Sequence, residues 1–142
     1  IWNKQPAKIY MGDAGALFLG VVISVLTIRV NPGIDPSWKS LALMPILLAV
    51  PILDTTVAVT SRIYRRLSPL TGGKDHLSHR LVRKGLTQKT AAIALWAGSA
   101  LFSLLAIGIY NSPISLGTPL TYLAAAIWAI ALICFLKIPS ED

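Results

Sequence analysis

The stretch that decides the fold is Ala91–Tyr110, AAIALWAGSALFSLLAIGIY, which contains no charged side chain. At about 1.5 Å per helical residue, it is long enough to cross a hydrocarbon layer about 30 Å thick. Three more stretches are long and predominantly apolar, so we also expect membrane helices over about 14–30, 41–60 and 120–136. The sequence therefore predicts an all-α, polytopic transmembrane helical bundle with four membrane helices and a short helix in a cytoplasmic loop over about 61–89.

The composition excludes a soluble domain. Hydrophobic residues make up 54% of the chain and charged residues 13%, and the mean hydropathy is +0.65. The lone Cys134 lies in the last apolar stretch, so no disulfide or cysteine metal site is expected. Residues 1–142 contain no repeat or linker and are interpreted as one part of one integral membrane domain. Because the chain opens on Ile1, we expect it to be a piece of a longer protein.

The basic residues predict the orientation in the membrane. If 61–89 is cytoplasmic, 11 of the 13 lysines and arginines lie on that side, and only Arg29 and Lys39 lie opposite. Segments 31–40 and 111–119, which contain Pro and Gly, then form short outer turns. We therefore expect a multi-pass protein of the inner (plasma) membrane whose functional face is cytoplasmic.

The second membrane helix combines two prolines with an acid. Pro45 and Pro51 each remove a backbone donor, which predicts a kink near Leu41 and Leu47. Asp54 lies about two turns inside the cytoplasmic end, where an ionised carboxylate needs a partner. Two interpretations stay open: Asp54 pairs with a neighbouring helix, or it lines a polar cavity at the membrane face.

A second acid stands where the first membrane helix begins. Asn3-Lys4-Gln5-Pro6-Ala7-Lys8-Ile9-Tyr10-Met11-Gly12-Asp13-Ala14-Gly15 places one carboxylate between two glycines at the entry of that helix. Such an acid must be hydrated, paired or bound to a cation. Asp13 is therefore a candidate ligand of a metal ion that also binds phosphate.

The hydrophilic loop holds both histidines of the chain. We expect Asp75 to cap a short helix over 76–84, Gly85 to end it and Thr87 to cap the next membrane helix. At a spacing of three, His76 and His79 share a helix face, with Arg80 beside them, and this group suits a phosphate. A zinc site is disfavoured because cysteine ligands are absent. Membrane topology and attraction to anionic lipid explain Arg65 and Arg66.

Three motifs in order resemble the polyprenyl-phosphate N-acetylhexosamine-1-phosphate transferase family. Asn3 through Gly15 resembles its Asn-x-x-Pro-Ala-x-x-x-Met-Gly-Asp-x-Gly motif, Pro51-Ile52-Leu53-Asp54-Thr55 its Pro-x-x-Asp-Thr segment, and Asp75-His76-Leu77-Ser78-His79-Arg80-Leu81 its histidine loop. The form of the histidine loop and the two membrane helices after it are more similar to the branch that transfers GlcNAc-1-phosphate to undecaprenyl phosphate.

The resemblance implies a reaction and roles for individual residues. Members transfer a sugar-1-phosphate from a UDP-sugar to a polyprenyl phosphate at the cytoplasmic face and release UMP, in the synthesis of cell-wall or surface glycans such as teichoic acid or lipopolysaccharide. Asp13 would bind Mg²⁺, with Mn²⁺ as the alternative. His76 and His79 would join Asp13 as catalytic residues. The implied substrate-binding residues are Asn3, Asp54, Asp75 and Arg80. No nucleic-acid partner is expected, and a homodimer is left open.

The chain also departs from the family pattern. Ala16 stands where the family often has Ser, and Ser78 stands where it often has His. The paired aspartates that the family carries on an earlier cytoplasmic loop are absent from these residues. We therefore expect this chain to be inactive alone. The sugar and the glycan pathway stay open.

Two other classes of protein compete with the transferase. A non-catalytic four-helix membrane protein could bind anionic lipid through its basic loop, but it needs neither the histidines nor Asp13. A small transporter subunit would use Asp13 and Asp54 as coupling sites, and it leaves the arginine-flanked histidines unexplained.

Overall fold

The computed structural model describes residues 12–29, 37–70 and 73–139. These residues fold into α-helices, and no strand occurs within the described ranges, so the all-α class is confirmed. The helices are α1 (Gly12–Arg29), α2 (Ser37–Leu47), α3 (Ala49–Tyr64), α4 (Leu77–Arg83), α5 (Gln88–Asn111) and α6 (Ile114–Leu136). The short α4 is the helix that the sequence predicts in the basic loop.

The chain divides into two compact units, residues 1–40 and 41–142. The first unit contains α1, whose 18 residues span about 27 Å. Its first residue, Gly12, has a φ of +63°, in the left-handed region that favours glycine. Farther along α1, the Ser24 hydroxyl donates to the Gly20 carbonyl oxygen at 2.8 Å, so this hydroxyl is satisfied within the helix.

Two helices of the second unit, α5 and α6, are long and apolar enough to cross a membrane. The pair formed by α2 and α3 adds one further span if it is counted as a single broken helix. The first predicted span falls in α1, whose apolar part, Gly12–Leu26, is shorter. The structure therefore shows a membrane protein, while four membrane helices are not confirmed.

The kink predicted near Leu47 is confirmed, as a break, whereas α2 continues through Leu41 and Pro45. Helices α2 and α3 are bent by 70° at Leu48. Pro51 lies in the first turn of α3, where its missing N–H costs nothing, but it leaves the Leu47 carbonyl without its usual donor. The indole Nε1 of Trp128 on α6 donates to the Ala49 carbonyl oxygen at 3.0 Å, which supports the backbone beside the break.

Both predicted outer turns are too long. Residues 37–40 are already helical in α2, and α6 begins at Ile114, so the second turn shrinks to Ser112 and Pro113. Pro113 occupies the N-cap of α6 and Pro119 lies inside the helix. The Thr118 hydroxyl, beside Pro119, donates to Ile114 O at 2.9 Å and is satisfied within the helix. Proline in this membrane helix therefore does not mark a loop.

The core of the second unit joins the loop helix to the membrane helices. Leu53 and Val57 on α3 and Leu77 on α4 are almost fully buried together. Partly buried apolar side chains from α3, α5 and α6 pack against them: Val50, Leu95, Trp128, Ala131, Leu132 and Phe135. Because Leu77 immediately follows His76, its burial sets where the histidine loop lies against the ends of α3 and α6.

Candidate active site

The connection that carries the histidine loop is bounded by well-defined ends of α3 and α4. Arg66, just after α3, has a φ of +59°, and Gly85, just after α4, has a φ of +97°. At both ends the left-handed residue lets the following amides return to the last helical carbonyls. Thr87 Oγ1 then accepts the Thr90 N–H at 3.2 Å to cap α5. The predictions for Gly85 and Thr87 are confirmed.

Asp75 lies in a buried clamp formed by two arginines of the preceding segment. Its Oδ2 accepts from Arg62 Nε at 3.0 Å and its Oδ1 from Arg65 Nη2 at 2.6 Å. Only 4% of the Asp75 side chain is exposed. A Cβ placed on Gly73 would lie 2.8 Å from Asp75 Oδ2, so the loop reaches the carboxylate only because residue 73 has no side chain. These ion pairs hold the residues just before α4 against the end of α3.

Two predictions made for these residues are wrong. Asp75 does not cap α4, since the N-cap is His76 and the Asp75 carboxylate is bound to arginines. Topology alone does not explain Arg65, because its guanidinium neutralises a buried acid. The substrate-binding role of Asp75 stays a prediction, and its geometry points to an anchor for the loop.

Asp54 supplies the cap that Asp75 does not. From α3, its Oδ1 accepts the Leu77 N–H at 2.6 Å, at the first residue of α4. Its Oδ2 lies 2.8 Å from His76 Nδ1. The side chains are 33% and 45% exposed for Asp54 and His76, respectively. Of the two interpretations left open by the sequence, the structure shows pairing with a neighbouring segment, and the substrate-binding role stays a prediction.

Arg80 points into the protein and not onto the face of His79. It is 1% exposed. Its Nε donates to Asp75 O and its Nη1 to Phe135 O, both at 2.9 Å, and Nη1 also bonds to Ile138 O. The last two acceptors lie at and just beyond the carboxyl end of α6, where the helix dipole favours a cation. Arg80 therefore pins α4 to the last membrane helix.

The electrostatics of Arg80 reflect this burial. Loss of water lowers the pKa of its guanidinium, and the like charge of Arg83 lowers the pKa further, while Asp75 opposes both effects. The predicted joint phosphate face of His76, His79 and Arg80 is therefore wrong for Arg80. Its predicted part in substrate binding could act only through the position of the loop.

His79 lies on the exposed side of α4. Arg83, one turn farther on, is half-buried, and its Nη2 donates to the Lys74 carbonyl oxygen at 3.0 Å. Accessible groups beside α4 that can meet a phosphate include the imidazoles of His79, on the helix, and of His76, at its N-cap.

The remaining predicted residues belong to the first unit. Asp13 lies in the first turn of α1 and is exposed, which agrees with its predicted place at a helix entry. Asn3, with most of its motif, lies outside the described residues. That Asp13 meets the histidines around one diphosphate stays a prediction.

The donor set allows Mg²⁺ only with ligands from elsewhere. Within the part of the chain that the structure describes, no group of three or more His, Cys, Asp or Glu side chains converges. Asp13 offers one exposed carboxylate. Mg²⁺ commonly binds one or two carboxylates and completes its shell with water and substrate phosphates, so a single acid fits this ion better than it fits zinc.

The anchoring residues Arg62, Gly73 and Leu77 are not among those that the sequence predicts. The sequence does hint at a buried ion pair, because Asp75 is the only acid in segment 61–89, which contains eight lysines and arginines. One acid among so many cations is expected to be paired, and a glycine two residues before it allows close approach. Nothing in the spacing identified which arginines would pair.

Comparison with known proteins agrees with the motifs. Residues 1–31 match the model of the family described as glycosyl transferase family 4. Over 99% of its length the chain is 34% identical to a probable undecaprenyl-phosphate N-acetylglucosaminyl 1-phosphate transferase of Bacillus subtilis, covering 37% of that protein. A decaprenyl-phosphate N-acetylglucosaminephosphotransferase of Mycolicibacterium smegmatis is 34% identical over 70% of the chain and 28% of the relative. No solved structure matches.

A similar transferase of Escherichia coli K12, named undecaprenyl-phosphate alpha-N-acetylglucosaminyl 1-phosphate transferase, is 26% identical over 68% of the chain and 26% of the relative. The chain is thus a membrane protein homologous to glycosyl-1-phosphate transferases. More particularly, it is homologous to the polyprenyl-phosphate N-acetylhexosamine-1-phosphate transferase family, which confirms the resemblance. It corresponds to the C-terminal part of these relatives and spans between 26% and 37% of their length.

Proposed function

We propose that this chain is the C-terminal part of an enzyme that transfers a sugar-1-phosphate, GlcNAc-1-phosphate by analogy with the named relatives, from a UDP-sugar to undecaprenyl phosphate. The observation that carries the proposal is the similarity over 99% of the chain to such a transferase. The histidine loop also supports the proposal, because its two accessible imidazoles lie on a segment that is anchored to membrane helices.

The chemistry is a phosphoryl-group displacement. An oxygen of the lipid phosphate attacks the sugar-linked phosphorus of the UDP-sugar, a new P–O bond forms, and the bond from that phosphorus to the bridging oxygen breaks, so that UMP leaves. Such reactions depend on positioning and on stabilising the charge of the phosphate oxygens. In this proposal His76 and His79 contact those oxygens, which their exposure to solvent allows.

Asp13 is the residue of this chain that would hold Mg²⁺, with other ligands from the substrates or from further residues. When bound, the ion would neutralise charge on the diphosphate. We further propose that α1 and the broken pair α2–α3 each cross the membrane, for four spans in total, in the inner (plasma) membrane, and that the histidine loop faces the cytoplasm, as the basic residues indicate. We also propose that the protein forms a homodimer.

The loop geometry bears on the lipid-binding alternative. A surface that binds anionic lipid needs free cations. Several basic residues of 61–89 instead bond within the protein, among them Arg62, Arg65, Arg80 and Arg83. The loop is therefore built as an internal scaffold more than as a cationic surface, which favours the transferase.

The test is release of UMP from UDP-GlcNAc and undecaprenyl phosphate by the intact protein that contains this sequence, with and without Mg²⁺. We expect Asp13→Asn to abolish release while membrane expression and unfolding temperature stay near those of the parent, because Asp13 is exposed. Release with a different UDP-sugar would change the donor only. Silence with every donor would favour the lipid-binding protein.

A further inference from the structure

Asp54 occupies the Nδ1 atom of the His76 ring and leaves Nε2 open to a ligand. One carboxylate oxygen is 2.8 Å from His76 Nδ1, and the other accepts the Leu77 N–H at 2.6 Å. The two bonds engage adjacent residues at the start of α4 from a single side chain of α3. The His76 ring is thus held by a group that belongs to a membrane helix and not to the loop.

The chemistry of the contact fixes the tautomer. An ionised carboxylate has only acceptor oxygens, so a hydrogen bond at 2.8 Å requires the hydrogen to lie on His76 Nδ1. In the neutral ring the lone pair is then on Nε2. Nε2 has no hydrogen-bond partner within the described ranges, and 45% of the His76 side chain is exposed.

We propose that Asp54 is a positioning residue that holds His76 with its hydrogen on Nδ1 and presents the Nε2 lone pair to a substrate phosphate. This inference rests on the proposed function. A protonated phosphate oxygen gives its proton to Nε2, its O–H bond pair stays on that oxygen, and the ring becomes an imidazolium whose Nδ1–H remains on Asp54. The carboxylate therefore both selects the tautomer and stabilises the cation.

The variant Asp54→Asn separates positioning from capping. The asparagine carbonyl can still accept the Leu77 N–H, but its amide now offers an N–H to His76 Nδ1, which moves the ring hydrogen to Nε2. We expect kcat to fall about 10- to 100-fold, with KM for the UDP-sugar and the unfolding temperature near wild type. Asp54→Ala should lose the same activity and also unfold at a lower temperature. Thr60→Val, an exposed change farther along α3, is the matched control.

A second readout tests the geometry without turnover. In ¹⁵N-histidine-labelled protein, with His76→Gln used to assign the ring signals, wild-type His76 should show a protonated Nδ1 and an unprotonated Nε2, and Asp54→Asn should reverse them. Wild-type kcat in Asp54→Asn, or Nε2 protonation in the neutral wild-type ring, would overturn the inference. Absence of transfer in every variant would overturn the proposed function, while the ring signals would still decide the Asp54–His76 arrangement.

Discussion

Buried and accessible residues at the start of α4 have different roles although they lie within five positions of one another. Leu77 and Arg80 are buried against the membrane helices, whereas His76 and His79 stay accessible. Leu77 and Arg80, three residues apart, share one face of the helix, whereas His79 lies off that face and His76 stands at the N-cap. One short motif therefore contains both residues that anchor the loop and residues that stay accessible. Variants on the two sides should therefore fail in different ways.

Asp75→Asn should have the largest effect on stability. The substitution leaves the guanidinium groups of Arg62 and Arg65 without their buried counter-charge, which we expect to cost about 3 to 5 kcal/mol of unfolding free energy. Denaturant unfolding in detergent micelles measures this, and faster tryptic cleavage in 61–89 would report loop release. Lys84→Gln, an exposed charge change, is the control. Unchanged unfolding would mean that the clamp does not hold the loop.

Arg80→Lys should have the next largest effect. Lysine keeps the charge but lacks the planar fork that binds three backbone carbonyls, so we expect a loss of about 1.5 to 3 kcal/mol. Transfer should fall with it as α4 leaves the end of α6. Arg83→Lys, which removes a single bond to Lys74 O, is the matched comparison. Equal stability of the two variants would argue against a special anchoring role for Arg80.

His79→Ala should have the smallest effect on folding and a large one on chemistry. Because the ring is exposed, the unfolding free energy should change by less than about 0.5 kcal/mol. UMP release should fall by about 100-fold or more if the ring contacts the reacting phosphates. Ser78→Ala beside it controls for a change at the helix surface. Wild-type turnover by His79→Ala would remove this histidine from the proposed site.

Local features of this fold follow directly from the sequence. Pro51 predicts the break before α3, Gly85 the end of α4 and Thr87 the start of α5, because each acts through its own backbone or its nearest amides. The apolar runs predict α5 and α6 because length and composition are properties of each run itself. Predictions that depend on distant partners fared worse, since Asp75 and Arg80 each have a role that their neighbours in sequence do not show.

The all-helical membrane fold, the acid at a helix entry and the two histidines of one short loop follow from the sequence alone, and its motifs resemble those of the transferase family. These properties are encoded in composition and in spacings of a few residues. The tertiary contacts show which charged side chains hold the histidine loop to the membrane helices. Asp54 meets His76 and Arg80 meets Phe135 across separations of 22 and 55 residues. Such pairs form because a buried charge must find a partner, and packing of the helices decides which partner is near.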